Sequence, residues 1–253
     1  MDRLAFNAVA AINEQRVARQ MTTNELANVS TPGFKRSFEA ALQAVKVEGP
    51  GFESRMQPQA FTSDYINMTP GTPMSTGRDL DVSMNDQTVL GISAPDGKLS
   101  FTRRGDLRIN ASGALENGAG YLVQGEGGGA LTIPRGLLVT ISGDGTVLAS
   151  DPAQAGNAAP ITVGKLLLRD TSKTPLQRAE NGLFQVVGKP GQDITPGPVT
   201  PSVTSRALEG SNVNAMEVMV KMMAQSRSFE QQVNMIKESK QIDESGATMM
   251  KSS

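Results

Sequence analysis

Apolar side chains recur every three or four residues along the stretch from Leu208 to Lys240. This is the spacing of one face of an α-helix, with polar residues on the remaining faces. Asn214, followed three residues later by Glu217, predicts a helix start because this pair can form a capping box. The apolar face is narrow, so we expect it to pack against a partner helix as in a coiled coil. Its predicted contact residues are Val213, Met216, Val220, Met223, Phe229, Val233 and Ile236.

A second helix is predicted from Asp2 to Ala27, a stretch without Pro or Gly. Its small and apolar residues share one rough face, which Gln15 and Thr22 interrupt. This pattern fits two alternatives, an amphipathic helix that packs on its own domain and a helix that packs between molecules. The predicted contact residues of this helix are Leu4, Ala8, Ala11, Ala18 and Leu26.

The segment after this helix is predicted to be a turn. Asn28 is well placed as a left-handed C-cap. Pro32 and Gly33 favour a type II turn, because Gly tolerates the positive φ that the third turn position requires. With Phe34, these three residues complete the predicted assembly interface.

Between the helices, short apolar runs alternate with turn-forming dipeptides such as Asp96-Gly97 and Asn181-Gly182. This pattern predicts an antiparallel β-domain. The predicted fold class is α+β, with paired long terminal helices (coiled-coil-like), a central antiparallel β-domain and extended connectors. The predicted division is 1–35 and 208–253 for the helical domain, 36–76 and 188–207 for the connectors, and 77–187 for the β-domain.

Composition excludes several kinds of chemistry, because the chain has no Cys, His or Trp. The commonest metal ligand and the usual general base near neutral pH are missing, and so is any thiol. We therefore expect no enzyme activity, no cofactor, no bound metal and no small-molecule substrate. The net charge of −1, without a long basic run, also argues against nucleic acid as a partner.

The hydropathy pattern gives no membrane segment. No window of about 18 consecutive apolar residues exists, so we expect no spanning helix. The apolar run from Ala8 to Ile12 is short and lacks a basic lead, so it does not predict a cleaved signal peptide.

Two charged motifs have both a functional and an ordinary interpretation. Asp79 and Asp81 could bind a metal, but a solvated surface pair is favoured because no second ligand cluster accompanies them. Arg103 and Arg104 could bind a neighbour's carboxylate, although paired arginines are more typical of a solvated strand face. A glycosidase with two carboxylates needs no His, so the charged residues leave a glycan-directed β-domain open.

Gly125, Gly127 and Ala130 fit the spacing of a dinucleotide-binding fingerprint. That fingerprint requires a helix immediately afterwards, whereas the following residues are Leu-Thr-Ile-Pro. A glycine-rich hairpin loop is therefore favoured.

Two segments resemble the terminal signatures of bacterial flagellar rod and hook proteins. ELANVSTPGFKR, residues 25–36, is similar to the N-terminal signature, commonly N-N-L-A-N-x-x-T-P-G-F, with Glu25 in place of the second Asn. Residues 208–237 resemble the C-terminal signature, and TGRDLDV, FTRRGDLRINASGAL and ENGLF resemble interior family segments. The sequence is therefore identified as a member of this family, most similar to its proximal rod proteins.

This resemblance implies a non-enzymatic structural subunit of the flagellar basal-body rod. In that family the terminal helices pair and pack with those of adjacent subunits into a helical tube, which crosses the periplasm and transmits torque from motor to hook. The Thr31–Phe34 turn would bridge subunits, and the β-domain would cover the outside. The implied partners are other rod proteins, copies of the same chain and the flagellar type III export apparatus, which exports the chain without cleavage.

Two alternatives stay open. The chain could be a distal rod protein of the same family, which axial position and copy number would distinguish. It could also be an extracellular glycan-binding β-domain on a helical stalk.

Overall fold

The computed structural model describes residues 2–37, 41–46, 56–61, 65–152 and 159–251. The chain divides into two compact units. The helical unit comprises Met1–Ala27, Glu39–Ser63 and Asn214–Ser253, and the β unit comprises Asn28–Phe38 and Asp64–Val213.

The described residues contain two helices, α1 (Asp2–Ala27) and α2 (Ala215–Lys251). The bounds predicted for α1 are confirmed. The stretch of helical spacing that begins at Leu208 becomes helical only after Asn214, where the capping pair predicted the helix start. The Asn214 Oδ1 atom accepts hydrogen bonds from the amides of Met216, at 3.0 Å, and Glu217, at 3.3 Å. The N-cap predicted at Asn214 is thus confirmed.

The coiled-coil part of the predicted fold class is wrong. The two helices contact each other, but α2 uses Gln225 and Ser228 for hydrogen bonds to α1. A coiled coil would place apolar side chains in such a contact. The predicted seam residues Met216, Val220 and Met223 are exposed instead. The contact between the helices therefore includes polar side chains, and these three seam residues stay exposed to solvent.

The helical unit also contains an antiparallel pair of strands, β1 (Ala41–Lys46) and β2 (Met56–Phe61). The described part of the β unit contains short strands throughout. They are β3 (Pro73–Ser75), β4 (Val82–Met84), β5 (Thr88–Ser93), β6 (Leu99–Thr102), β7 (Leu107–Ile109), β8 (Leu115–Asn117), β9 (Leu138–Ile141), β10 (Thr146–Ser150), β11 (Ile161–Lys165), β12 (Leu168–Asp170), β13 (Leu176–Arg178), β14 (Phe184–Val186), β15 (Val203–Ser205) and β16 (Ala207–Glu209).

These strands pair antiparallel, as the turn dipeptides predicted. A five-stranded sheet has the order β12-β5-β6-β14-β13, and a three-stranded sheet has the order β11-β10-β9. Three further pairs are β15 with β4, β16 with β3, and β7 with β8. Within the stretches predicted to be connectors, the structure places β1, β2, β3 and β15.

The core of the β unit lies on both faces of the five-stranded sheet. Leu90 and Ile92 of β5 belong to one buried cluster, together with residues of β9 and β10. Val89 of the same strand belongs to a second cluster with Phe101 and Phe184. β5 is thus buried on both sides, so it serves as the centre of the unit.

Candidate assembly surface and signature cluster

One side of α2 presents apolar side chains to solvent. Met216 is 72% exposed, and Val220 and Met223 are each 64% exposed. Met219 is exposed beside them. Steps of three and four residues keep these four side chains on one side of the helix. We call Met216, Met219, Val220 and Met223 the outward stripe.

The contact of α2 with α1 includes polar side chains. Gln225 Nε2 donates a hydrogen bond to Thr22 Oγ1 at 3.0 Å, and Gln15 Nε2 donates one to Ser228 Oγ. The higher-numbered residue of α1 bonds to the lower-numbered residue of α2, so the helices run antiparallel. Gln15 and Thr22, which interrupt the apolar pattern of α1, are thus its contact residues. Hydrogen bonds of this kind contribute only about 1 kcal/mol each to stability. The apolar side chains of the outward stripe take no part in them.

The remaining predicted interface residues fall in different environments. Within the helical unit, Phe229 is exposed, whereas Ala11, Ala18, Leu26, Val233 and Ile236 are half-buried. The side chains of Leu4 and Ala8 lie outside the described residues. The other predicted residues belong to the β unit: Asn28, Pro32, Gly33, Phe34 and Val213.

The turn after α1 has the predicted geometry but a different start. Gly33 has a φ of 69°, and the Phe34 amide donates to the Thr31 carbonyl at 3.2 Å, as in a type II turn. The left-handed C-cap predicted at Asn28 is wrong, since Asn28 is not among the residues with positive φ. The Asn28 backbone carbonyl instead accepts a hydrogen bond from the Thr31 amide at 3.2 Å, and the Asn28 Oδ1 atom accepts one from the Thr31 hydroxyl at 3.2 Å. The backbone closes the turn, and the side chain adds a second hydrogen bond to it.

Gly33 packs directly against another segment of the β unit. A Cβ atom at this position would lie 2.1 Å from the Arg103 carbonyl oxygen. The Gly33 amide donates to the Glu209 carbonyl oxygen at 2.7 Å. The turn is therefore part of the packed β unit, and only Gly fits there.

Beside this turn, three charged side chains are buried together. Lys35, Arg103 and Glu209 are 0%, 1% and 3% exposed. Lys35 Nζ donates to Glu209 Oε1 at 2.6 Å, and Arg103 Nε donates to Glu209 Oε2 at 2.5 Å. The Gly71 amide adds a third hydrogen bond, to Glu209 Oε1, at 2.9 Å. We call Lys35, Arg103 and Glu209 the signature cluster, because each lies in a segment that resembles a family motif.

The two cations of the signature cluster have further acceptors. Arg103 Nη1 donates to the Asp86 carbonyl at 2.6 Å and the Thr88 carbonyl at 3.1 Å. Its Nη2 donates to the Met84 carbonyl at 2.7 Å. Lys35 Nζ also donates to the Thr69 carbonyl at 2.7 Å. The buried charges are therefore well hydrogen-bonded, which burial in a core requires.

Burial lowers the pKa of Lys35 below its ordinary value of 10.5, and the nearby Arg103 cation lowers it further, while Glu209 opposes both effects. Between the lowered pKa and 10.5 the unfolded chain binds more protons at Lys35 than the folded chain does. The free energy of unfolding therefore rises with pH through this range, and the cost of burying the charge is fully present below it.

Lys35→Met should remove this pH dependence while the Arg103–Glu209 pair remains. We expect the wild-type curve of unfolding free energy to rise more steeply than the variant's curve towards pH 10.5, by up to about 1.4 kcal/mol per pH unit. Urea unfolding at a series of pH values measures this difference. Lys173→Met, at an exposed position, controls for the loss of one positive charge. Parallel curves for wild type and Lys35→Met would contradict the prediction.

Asn212 joins the two family segments a second time. Its Oδ1 atom accepts from the Arg36 amide at 2.7 Å, and its Nδ2 donates to the Asn67 carbonyl at 2.9 Å. The Asn212 amide donates to the Phe34 carbonyl at 3.2 Å. The segments at 33–36 and 209–212, distant in sequence, are therefore bonded side by side in the β unit.

Sequence reasoning missed the signature cluster. The interpretation of Arg103 as part of a solvated strand face is wrong, because its guanidinium is buried on a carboxylate of the same chain. Arg104 is half-buried and pairs with Asp106, at 2.7 Å. No role was predicted for Lys35 or Glu209 from the sequence, although both lie within family-like segments. The presence of charged residues inside such segments could have indicated a buried ion pair.

The other candidate motifs have ordinary structures. The glycine-rich hairpin interpretation is confirmed, because Gln124 and Ala130 pair across Gly125–Gly129. Asp79 pairs with Arg206 at the surface, but Asp81 is buried, so the interpretation of Asp81 as solvated is wrong. Within the described ranges, no group of three or more Asp and Glu side chains could hold a metal ion.

Over the part of the chain that the structure describes, neither helix combines the length and the apolar character that crossing a bilayer requires.

Comparison with known proteins gives matches at both the family and the whole-chain level. The family described as flagellar basal body rod FlgEFG protein C-terminal matches residues 204–249, and the flagellar hook protein FlgE/F/G D1 domain matches residues 87–149. The flagellar basal-body rod protein FlgF of Escherichia coli (strain K12) is 36% identical over 93% of each chain. FlgF of Salmonella typhimurium is 35% identical over the same shares. The flagellar basal-body rod protein FlgG of Buchnera aphidicola subsp. Baizongia pistaciae is 28% identical, over 88% of this chain and 90% of its own.

Proposed function

This chain belongs to the flagellar basal-body rod protein family, most like FlgF, and from that membership we propose how it acts as a structural subunit of the rod. The resemblance found in the sequence is thereby confirmed. The family consists of structural rod proteins, and we propose that this chain likewise has no enzymatic activity. Other components of the basal-body rod are its partners.

The outward stripe carries the proposal for assembly. Its apolar side chains are left exposed by the contact between α1 and α2. Burying a side chain such as Met or Val contributes about 1.5–3 kcal/mol, so covering several of them can offset much of the cost of association. We propose that a neighbouring rod subunit, either another copy or a related rod protein, covers this stripe.

Repeated contacts of this kind generate a filament. If the surface that covers the stripe differs from the stripe itself, the contact is head-to-tail and adds subunits in an open helical array. We propose that the helical units form the wall of the rod. The rod would cross the periplasm and transmit torque. The chain would reach it through the flagellar type III export apparatus without cleavage of a signal peptide.

The position proposed within the rod is proximal. Identity to the two FlgF proteins is 36% and 35%, whereas identity to the Buchnera FlgG is 28%. The similarity to FlgG extends over most of the chain, so a distal position is the second candidate. The two candidates predict different places along the rod axis.

Purified basal bodies test both the function and the position. A short epitope tag fits in the exposed Asp96–Gly97 turn of the β unit. In cells that lack their own copy of the gene, we expect the tagged chain to restore swimming and to co-purify with basal bodies. Gold-labelled antibody should mark the proximal part of the rod; labelling at the distal part would favour the second candidate. Absence of the tag from basal bodies, despite export, would contradict the rod assignment.

A further inference from the structure

Glu209 is the point at which the two ends of the β unit meet. The chain first enters this unit at Asn28 and finally leaves it after Val213, and these are its two ends; in between, the stretch Glu39–Ser63 belongs to the helical unit. The Glu209 carboxylate accepts hydrogen bonds from Lys35, which lies near the entry, and from Arg103, which follows β6. Both carboxylate oxygens are therefore occupied by buried partners, and the backbone of Glu209 is bonded as well.

We propose that the signature cluster is a clamp that fixes both ends of the β unit to the same point of its core. A pull or twist applied to either end would then pass into the β unit as a whole, instead of bending a single chain segment. Only this mechanical use depends on the function proposed above. The clamp itself is a property of the subunit.

Charge suits a clamp better than apolar packing does. A buried ion pair adds little net stability, because desolvation offsets most of its attraction, but its hydrogen bonds demand one geometry. Here Glu209 must meet a cation from the entry segment and a cation from the central sheet at 2.6 and 2.5 Å. Apolar side chains could slide by a fraction of a residue without a comparable cost.

The cluster is also sensitive to one change. It contains two cations and one carboxylate, so the loss of the carboxylate leaves two buried positive charges without a counter-charge. A Gln at this position would turn its amide donor towards one of the two cations. The hydrogen bonds that hold Lys35 and the adjoining turn should therefore break first.

Hydrogen exchange of Glu209→Gln tests the clamp. The Gly33 and Gly71 amides donate directly to Glu209 atoms, so we expect them to exchange at least about tenfold faster in the variant. The exchange rates of amides in the central strands β5 and β6 should change much less. Asp79→Asn is the matched control, since it removes a carboxylate from an exposed Arg pair of the same unit. Asp79→Asn should leave the exchange rates of both groups of amides unchanged.

Two results would overturn the clamp. One is unchanged exchange at Gly33 and Gly71 in Glu209→Gln. The other is equal acceleration there and in β5 and β6, because Glu209 would then only support the fold as a whole. If Glu209→Gln is insoluble, Lys35→Met alone releases the entry segment while the Arg103–Glu209 pair remains. The clamp then predicts faster exchange at Gly33 and Gly71 in Lys35→Met than in Lys173→Met, and equal exchange would overturn it.

Swimming in viscous medium tests the mechanical use. Cells with Glu209→Gln should carry the subunit in their basal bodies but swim more slowly than cells with Asp79→Asn. Equal speeds would overturn the mechanical role. Failure of the rod assignment itself would look different, because the wild-type chain would then be missing from basal bodies.

Discussion

Met223→Asp abolishes incorporation of the subunit into the rod while the β unit stays folded. Met223 is 64% exposed in the single chain, so the new carboxylate remains hydrated there and costs little. When a neighbouring subunit covers the outward stripe, the same carboxylate is buried without a partner. The expected penalty is about 3–5 kcal/mol for each contact, which lowers the association constant more than a hundredfold.

The measurement compares the subunit content of purified basal bodies with the thermal unfolding of the purified chain. Met235→Asp makes the same substitution at an exposed position of α2 that lies about three turns beyond the stripe, so it should incorporate normally. Met223→Asp basal bodies with a full complement of the subunit would show that the stripe is not an assembly surface.

Gly33→Ala should destabilise the β unit by about 2–5 kcal/mol. Part of this cost is the left-handed backbone, with φ at 69°, which a side chain disfavours by about 1–2 kcal/mol. The remainder comes from the added Cβ, which would lie 2.1 Å from the Arg103 carbonyl and force the turn away from it. Chemical denaturation of the purified chain measures the loss.

Gly77→Ala separates the two causes. Gly77 has a similar φ of 74°, but no heavy atom lies within 4 Å of an added Cβ. We expect it to cost only the backbone part, about 1–2 kcal/mol. Equal losses for the two variants would mean that the contact between Gly33 and Arg103 contributes nothing to stability.

Features that depend on neighbouring residues were predictable from the sequence. The bounds of α1, the cap at Asn214 and the turn at Pro32-Gly33 all rest on interactions within a few residues. The turn dipeptides likewise predicted the antiparallel strands. At Asn28 the local signal misled, because Asn also favours turns in which its side chain accepts a hydrogen bond, and the Thr31 hydroxyl supplies the donor for that alternative.

The faces of the helices were not predictable. Periodicity showed the apolar stripe of α2, but a stripe does not reveal whether it packs on its own chain or on another molecule. The coiled-coil expectation assumed the first. The polar residues Gln15 and Thr22 then looked like interruptions, although they form the contacts between the helices.

The centre of the β unit was hidden for a different reason. β5 is buried on both faces, so it shows a continuous apolar run instead of alternation, and such a run does not identify a strand by itself. The pairing of Arg103 with Glu209 joins residues more than a hundred positions apart. No local pattern reports such a contact, and charged residues are usually exposed.

Three of the four side chains in the outward stripe are methionines, which gives the subunit a chemical vulnerability before it assembles. Oxidants convert an accessible thioether into a sulfoxide, which is polar and chiral. A subunit damaged in this way would resemble the aspartate variant in its loss of apolar surface, whereas a neighbour in the finished structure would shield the same sulfur atoms. Oxidative stress should therefore limit the construction of new rods more than it harms those already built.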